Sequence, residues 1–202
     1  MSDYCDLGAL EGFTCGQASD PEGKTGVTVL RFDAGAVAAV DVRGAAPGTR
    51  ETDLLKPENL IDKVHAIVLS GGSVWGLDAM SGVVGVLEDN NVGFDTGIVK
   101  VPIVTGAVLF DLGVGSARAR PDVLMGRKAA EAATGRHIQT GAVGAGCGAT
   151  LGKIYGREYA SPSGLGAHCI LLPDGFCLAA IVAVNPYGEV FARDGQLLGA
   201  SK

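Results

Sequence analysis

Between Gly141 and Gly156 the chain reads GAVGAGCGATLGKIYG, six glycines in sixteen residues. Glycine at that density carries an entropic cost to folding, roughly 0.5–1 kcal/mol each relative to alanine inside a helix or strand. A chain tolerates the cost where its backbone must pass through positive φ or approach another group closely. The run ends on a single cation, Lys153, set between Gly152 and Ile154. Its backbone N–H groups are therefore expected to crowd around something, with Lys153 marking the place.

The chain has 202 residues, enough for one domain with a sizeable core, and residues 1–202 read as that one domain. Hydrophobic residues make up 47 % and charged residues 19 %, with mean hydropathy +0.29. So apolar a chain is expected to have part of its surface covered by a partner. Net charge is −6 without a Lys/Arg cluster, which argues against nucleic acid. No apolar run reaches the 18 or so residues of a membrane span, and the start, MSDYCDLGAL, has no signal-peptide pattern, so a cytoplasmic location is expected. Five scattered cysteines, an odd number without CxxC spacing, read as reduced thiols packed as small hydrophobes.

Val27–Phe32 and Ala36–Val42 predict two strands joined by Asp33-Ala34-Gly35 as a hairpin. His65–Ser70 predicts a strand that runs through Gly71-Gly72-Ser73 into a helix over Val74–Asp89 ended by Asn90 and Asn91. Interior glycines at positions 76, 82 and 85 make sense if that helix packs very close to another element. Lys100–Leu112 reads as a buried strand kinked at Gly106, and Pro121 as the opening of a second helix that Gly135 stops. Ala167–Leu172 and Phe176–Val184, split by Pro173-Asp174-Gly175, are the clearest hairpin. Asn185-Pro186-Tyr187-Gly188 reads as a turn before a short last strand, Glu189–Ala192. Hairpins with helices between them favour sheets faced by helices over a strictly alternating parallel fold.

The glycine run fails as a P-loop twice: Cys147 stands at the first glycine's place, and Ile154 follows Lys153 where Ser or Thr is required. GGSVWG, after a strand and with Asp95 about 20 residues on, imitates a dinucleotide fingerprint. Ser73, however, replaces the second glycine, so a tight turn packed on a neighbour is favoured there; a nucleotide-binding module using Gly71–Gly76 is the competing reading. His65, His137 and His168 have no metal-ligand spacing, and nothing else asks for a metal or cofactor. Lys153 and Asn185 remain. A lysine after an apolar glycine loop can be desolvated and act beside a nucleophile, and an asparagine ending the most hydrophobic strand can donate to an oxyanion. From spacing alone, a solvated Lys153 and a turn-forming Asn185 before Pro186 fit as well.

LSGGSVWGLDAMSGV, KVPIVTGAVLFDLGVG, GAVGAGCGATLGK and VAVNPYGEV, in this order from about Leu7 to Val190, resemble a family of self-processing hydrolases. It includes the DmpA L-aminopeptidase/D-esterase, β-peptidyl aminopeptidases and the NylC nylon-oligomer hydrolases. The stretch RGAAPGTRETDLLKPENL adds to the likeness. The resemblance implies a four-layer α/β/β/α sandwich, shared with ornithine acetyltransferase and completed by a second chain. It implies a precursor that cuts itself before a Ser or Thr, whose new α-amino group then serves as base for its own hydroxyl. These 202 residues would be the larger, N-terminal product, and the nucleophile would lie on the smaller C-terminal subunit, in an oligomer of such pairs. The reaction implied is hydrolysis of a small peptide or amide, with an acyltransferase of the ornithine acetyltransferase type as the alternative. Residue by residue, the resemblance makes Lys153 the functional lysine and Asn185 the oxyanion-stabilising asparagine. Phe110 falls where the family has a site-lining tyrosine and lacks its hydroxyl. Trp75 and Phe110 are expected to shape the substrate pocket.

Overall fold

The computed structural model describes residues 4–7, 10–173 and 175–201; Asp174 of the expected turn and the side chain of Cys5 lie outside the described residues. Five strands form the central sheet: β1 (Thr14–Asp20), β2 (Thr25–Val37), β3 (Thr49–Arg50), β4 (Lys63–Ser70) and β5 (Val104–Val108). Their spatial order is β1-β2-β4-β5-β3, antiparallel throughout except for the parallel pair β4–β5. A parallel pair needs a crossover, and helix α1 (Ala79–Asp89) provides it. A second helix, α2 (Val123–Glu131), lies against α1.

The helices cover one face of the sheet. Val27, Val29, Ala66, Val68 and Val104 meet Met80, Val83, Leu87, Ala129 and Ala130 in the largest core cluster. Glycine in both helices is explained here: a Cβ on Gly82 of α1 would lie 2.7 Å from the Arg127 backbone nitrogen, and one on Gly126 of α2 would lie 2.8 Å from the Ala79 Cα. The two helices approach backbone to backbone. Each glycine costs up to about 1 kcal/mol of helix propensity, while full burial of Met80, Val83 and Leu87 returns about 1.5–3 kcal/mol per side chain. Packing wins.

The other face carries a hairpin of β6 (Gly164–Leu171) and β7 (Cys177–Val184), paired from Gly164↔Val184 to Leu171↔Cys177. Leu165, Ala167, Cys169, Ala179, Ile181 and Ala183 turn inward and pack with Leu7, Phe13, Cys15, Leu30, Leu69 and Ile138. The alternate residues face outward, leaving Leu178 60 % and Val182 51 % exposed. Helices, sheet and hairpin thus stack as α/β/β among the described residues. None of the helices there is long and apolar enough to cross a membrane.

Several expectations change. The predicted hairpin at Asp33–Gly35 is one bent strand: β2 runs on to Val37, with a register shift between Arg31 and Ala36 against β4, and Gly35 takes φ +73° at the irregularity. The real hairpin turn is Asp20–Lys24, whose Asp20 carboxylate accepts the Gly23 N–H at 2.8 Å; it joins β2 to β1, which the sequence pattern did not reveal. Lys100–Leu112 divides into Lys100–Val101, paired with Phe94–Asp95, and β5. Pro121 stands just before the second helix, whose N-cap is Asp122, accepting the Met125 N–H at 2.8 Å. That helix stops at Glu131, short of Gly135, which bridges to Cys15. The last strand, Val190–Phe191, has an unforeseen partner in Leu197–Gly199.

Candidate active site

The glycine run finds its partners inside the molecule. Gly144 N–H donates to the Ser19 hydroxyl at 2.7 Å and Ala145 N–H to the Thr28 hydroxyl at 3.1 Å, so the loop is seated on the first strands of the sheet. What its N–H groups crowd around is this chain's own hydroxyls. Gly146 abuts the backbone of Leu165, and Gly148 abuts the carbonyl of Lys24 and the side chain of Asp111. Side chains at those positions would push the loop off both layers.

The same seating brings Lys153 to Asn185. Past the glycines, Gly152 N–H donates to Gly188 O at 2.8 Å and Lys153 N–H to Tyr187 O at 2.7 Å, tying the loop to the turn that follows β7. Thr150 N–H then donates to Asn185 Oδ1 at 3.0 Å, and Lys153 Nζ to the same oxygen at 2.8 Å. Nζ also reaches Thr150 O at 2.7 Å, Pro186 O at 2.9 Å and Asn185 O at 3.3 Å. Four oxygens thus surround a group with three protons. Burial first, and repulsion from Arg157 second, pull Lys153 below the usual lysine range. The cage opposes that pull, because a neutral amine would turn a lone pair toward a carbonyl oxygen. The geometry suits an ammonium.

The orientation of the Asn185 amide follows from its neighbours. Oδ1 faces two donors, while Nδ2 faces the Phe110 carbonyl at 3.1 Å, and only this arrangement satisfies all three. One N–H of Nδ2 remains without a partner among the described residues. Lys153, Asn185 and Phe110 all line a cavity of about 720 Å³, with Thr150, Arg157 and Tyr187. Its charged lining residues are both cations, and the Arg157 guanidinium lies 4.8 Å from the centroid of the Phe110 ring. An aromatic ring without a hydroxyl therefore serves here as a platform for a cation.

Trp75 is not brought to this cavity. It sits in the 3-10 turn Ser73–Asp78 after β4, with the Arg120 guanidinium 3.6 Å from its ring centroid. The GGSVW turn does bind an anionic group, but an internal one: Gly72 N–H donates to Asp111 Oδ1 at 2.7 Å. Asp95 lies in Phe94–Asp95, paired only with Lys100–Val101 outside the central sheet, so the acidic residue of the dinucleotide layout is out of place as well. A second cavity, about 450 Å³, lies between residues 38–49 and the sheet at Ile67, Leu69 and Thr105–Val108. Its charged members, Asp41 and Arg43, pair with each other at 2.6 Å, so it offers no comparable chemistry. His65 is structural: its Nδ1 accepts the Ile103 N–H at 3.1 Å, and burial lowers its pKa. Thr150, Arg157 and Asp111 went unnoticed in the sequence; for Asp111 the available signal was a carboxylate inside the apolar run LFDLG.

Comparison with known proteins gives the family and the fold. The sequence pattern described as Peptidase family S58 matches residues 7–201. A Mycobacterium leprae protein named as an uncharacterized aminopeptidase is 43 % identical over 175 residues, covering 83 % of this chain and 46 % of its own length. A 6-aminohexanoate-oligomer endohydrolase of Kocuria sp. is 36 % identical over 187 residues, 93 % of this chain and 50 % of its own. Among solved structures, the L-aminopeptidase D-Ala-esterase/amidase of Ochrobactrum anthropi superposes with a TM-score of 0.68 at 16 % identity, over 91 % of this chain and 53 % of that one. Its structure is described as a variant of the Ntn hydrolase fold, and the superposition shows that fold here. The chain spans about half the length of the curated relatives it matches.

Proposed function

The chain belongs to peptidase family S58, and from that premise we propose that it is the larger part of an amide hydrolase whose attacking hydroxyl is the N-terminal Ser or Thr of a second polypeptide, released by self-cleavage. The observation that carries this reading is the Lys153–Asn185 pair: a caged ammonium and an amide held with one N–H still unpartnered, both on one cavity wall. An α-amino group has an unperturbed pKa of about 7.7–8.0, so a fraction of it is neutral near pH 7 and can take the proton of its own hydroxyl. The oxygen attacks the substrate carbonyl. Asn185 Nδ2 donates to the oxyanion that develops, and the Lys153 charge stabilises it further and lowers the pKa of the nearby amine. The amine of the cleaved amide leaves with the proton, and water releases the acyl group.

Relatives named aminopeptidase and 6-aminohexanoate-oligomer endohydrolase support a small peptide or amide oligomer as substrate. The outward face of the β6–β7 hairpin, with Leu178 and Val182 exposed, supports a second polypeptide packed over it as the fourth layer, in an oligomer of such pairs. Free thiols, Cys169 and Cys177 facing each other at 2.9 Å among them, support a reducing, cytoplasmic location. Intact-mass measurement of the full-length gene product tests the reading. Two associated polypeptides are expected, the second beginning with Ser or Thr, and both are needed for amide hydrolysis. One uncut species that hydrolyses amides, or a cut species in which Lys153→Ala and Asn185→Ala both turn over at the wild-type rate, overturns it.

A further inference from the structure

Asp111 is the only buried carboxylate among the described residues, at 3 % exposure, and no Lys, Arg or His pairs with it there. Instead three segments distant in sequence converge on it. Oδ2 accepts the Thr25 hydroxyl at 2.7 Å, from the start of β2. Oδ1 accepts the Gly72 N–H at 2.7 Å, from the turn after β4. The third segment is the glycine run: a Cβ on Gly148 would lie 2.8 Å from the Asp111 Cβ and 3.0 Å from Oδ2. A Cβ on Gly71 would overlap Oδ2 itself and lie 2.9 Å from the Asp111 Cγ. Two motifs that look unrelated in the sequence, GGSVW and the glycine run, are thus both glycine where they touch one carboxylate.

A buried, unpaired carboxylate is a costly way to hold a loop together. Burial pushes its carboxyl above the usual range, against the opposing pull of Gly72 N–H and the Thr25 hydroxyl. The adjacent residue gives the cost a purpose. Phe110 O is the acceptor that fixes Asn185 Nδ2. The backbone on either side is pinned as well, by Leu109 N–H to Ser70 O at 2.9 Å and by Val114 N–H to Asp111 O at 2.8 Å.

We infer that Asp111 is a positioning residue for the oxyanion donor. Its carboxylate locks the Leu109–Asp111 backbone so that the Phe110 carbonyl holds the Asn185 amide with the remaining N–H aimed into the cavity. This rests on the role given to Asn185 above. Asp111 touches no substrate and acts through Phe110.

The test compares Asp111→Ala and Asp111→Asn in the full-length, self-processed protein. Asn keeps the shape, its Oδ1 can accept Gly72 N–H, and its amide can donate to the Thr25 hydroxyl; Ala keeps none of this. Misplacing a catalytic group by about 1 Å costs roughly 10²-fold, so Asp111→Ala is expected to lower kcat by about 10- to 100-fold with KM within about twofold, per folded site. Asp111→Asn is expected to restore kcat to within about threefold of wild type. In parallel, the Asn185 side-chain amide signals in a ¹⁵N–¹H spectrum should shift and broaden in Asp111→Ala and keep their wild-type positions in Asp111→Asn. If Asp111→Ala does not fold, Thr25→Val removes one of the two carboxylate contacts and should move the same Asn185 signals and the same kcat. Unchanged Asn185 signals in the folded variant, or a loss of activity that tracks only the folded fraction, overturns the inference. If Asn185→Ala has wild-type kcat, the oxyanion role fails instead, and the amide signals still decide whether Asp111 orders Asn185.

Discussion

Asn185→Asp separates the chemistry of the site from its architecture. The substitution keeps an oxygen where Oδ1 stands, so Thr150 N–H at 3.0 Å and Lys153 Nζ at 2.8 Å keep their acceptor. It replaces Nδ2 with a second oxygen that faces the Phe110 carbonyl at about the present 3.1 Å, turning a hydrogen bond into a repulsion. Losing that bond costs about 1 kcal/mol, and the new carboxylate–ammonium attraction offsets it, so stability is expected to stay within about 2 kcal/mol of wild type. Catalysis has no such offset. The Nδ2 N–H assigned to the oxyanion is gone and a negative charge stands in its place. Loss of one preorganised donor costs about 10²–10³ in kcat, or roughly 2.7–4 kcal/mol, so kcat should fall at least that far while urea midpoints barely move. Steady-state hydrolysis of an amide substrate beside equilibrium unfolding reads both quantities. A variant within about tenfold of wild-type kcat would refute the assignment of Asn185 as oxyanion donor.

Lys153→Met preserves stem volume and removes the ammonium; it should lower turnover by about 10²-fold or more and release the Asn185 amide, visible as faster exchange of its side-chain protons. Wild-type turnover would show that the caged charge serves packing alone. Gly148→Ala places a Cβ into the Lys24 carbonyl and against Asp111, so overpacking should cost about 1–3 kcal/mol by urea unfolding; an unchanged midpoint would mean the loop can move away freely. For Asp111 the sign of the pH dependence is set by its raised folded-state pKa: the folded chain holds the proton to higher pH than the unfolded chain, so this stabilisation is complete below about pH 3.9 and is lost as pH rises through the folded value. Cys147, the titratable thiol that feels the Asp111 charge, is unchanged in Asp111→Asn. The stability of Asp111→Asn relative to wild type should therefore rise with pH over that window, and a flat difference would contradict the burial argument.

The sequence alone determined what depends on near neighbours. Two apolar runs split by Pro173 and Gly175 prescribe the β6–β7 hairpin, and the interior glycines of α1 announce a close contact. Lys153 and Asn185 stood out by chemistry, as a cation after a glycine loop and an amide ending an apolar strand. Their pairing did not, because it is made by hydrogen bonds between segments 32 residues apart. The same holds at Gly35: a glycine of positive φ serves equally in a turn or a bulge, and only the register of the distant β4 decides that β2 continues. Asp111 is the extreme case, since its partners lie 86 and 39 residues away. Short-range sterics and periodicity write themselves into a local stretch of chain. The packing of a carboxylate between a turn, a strand and a loop exists only once the sheet has assembled around it.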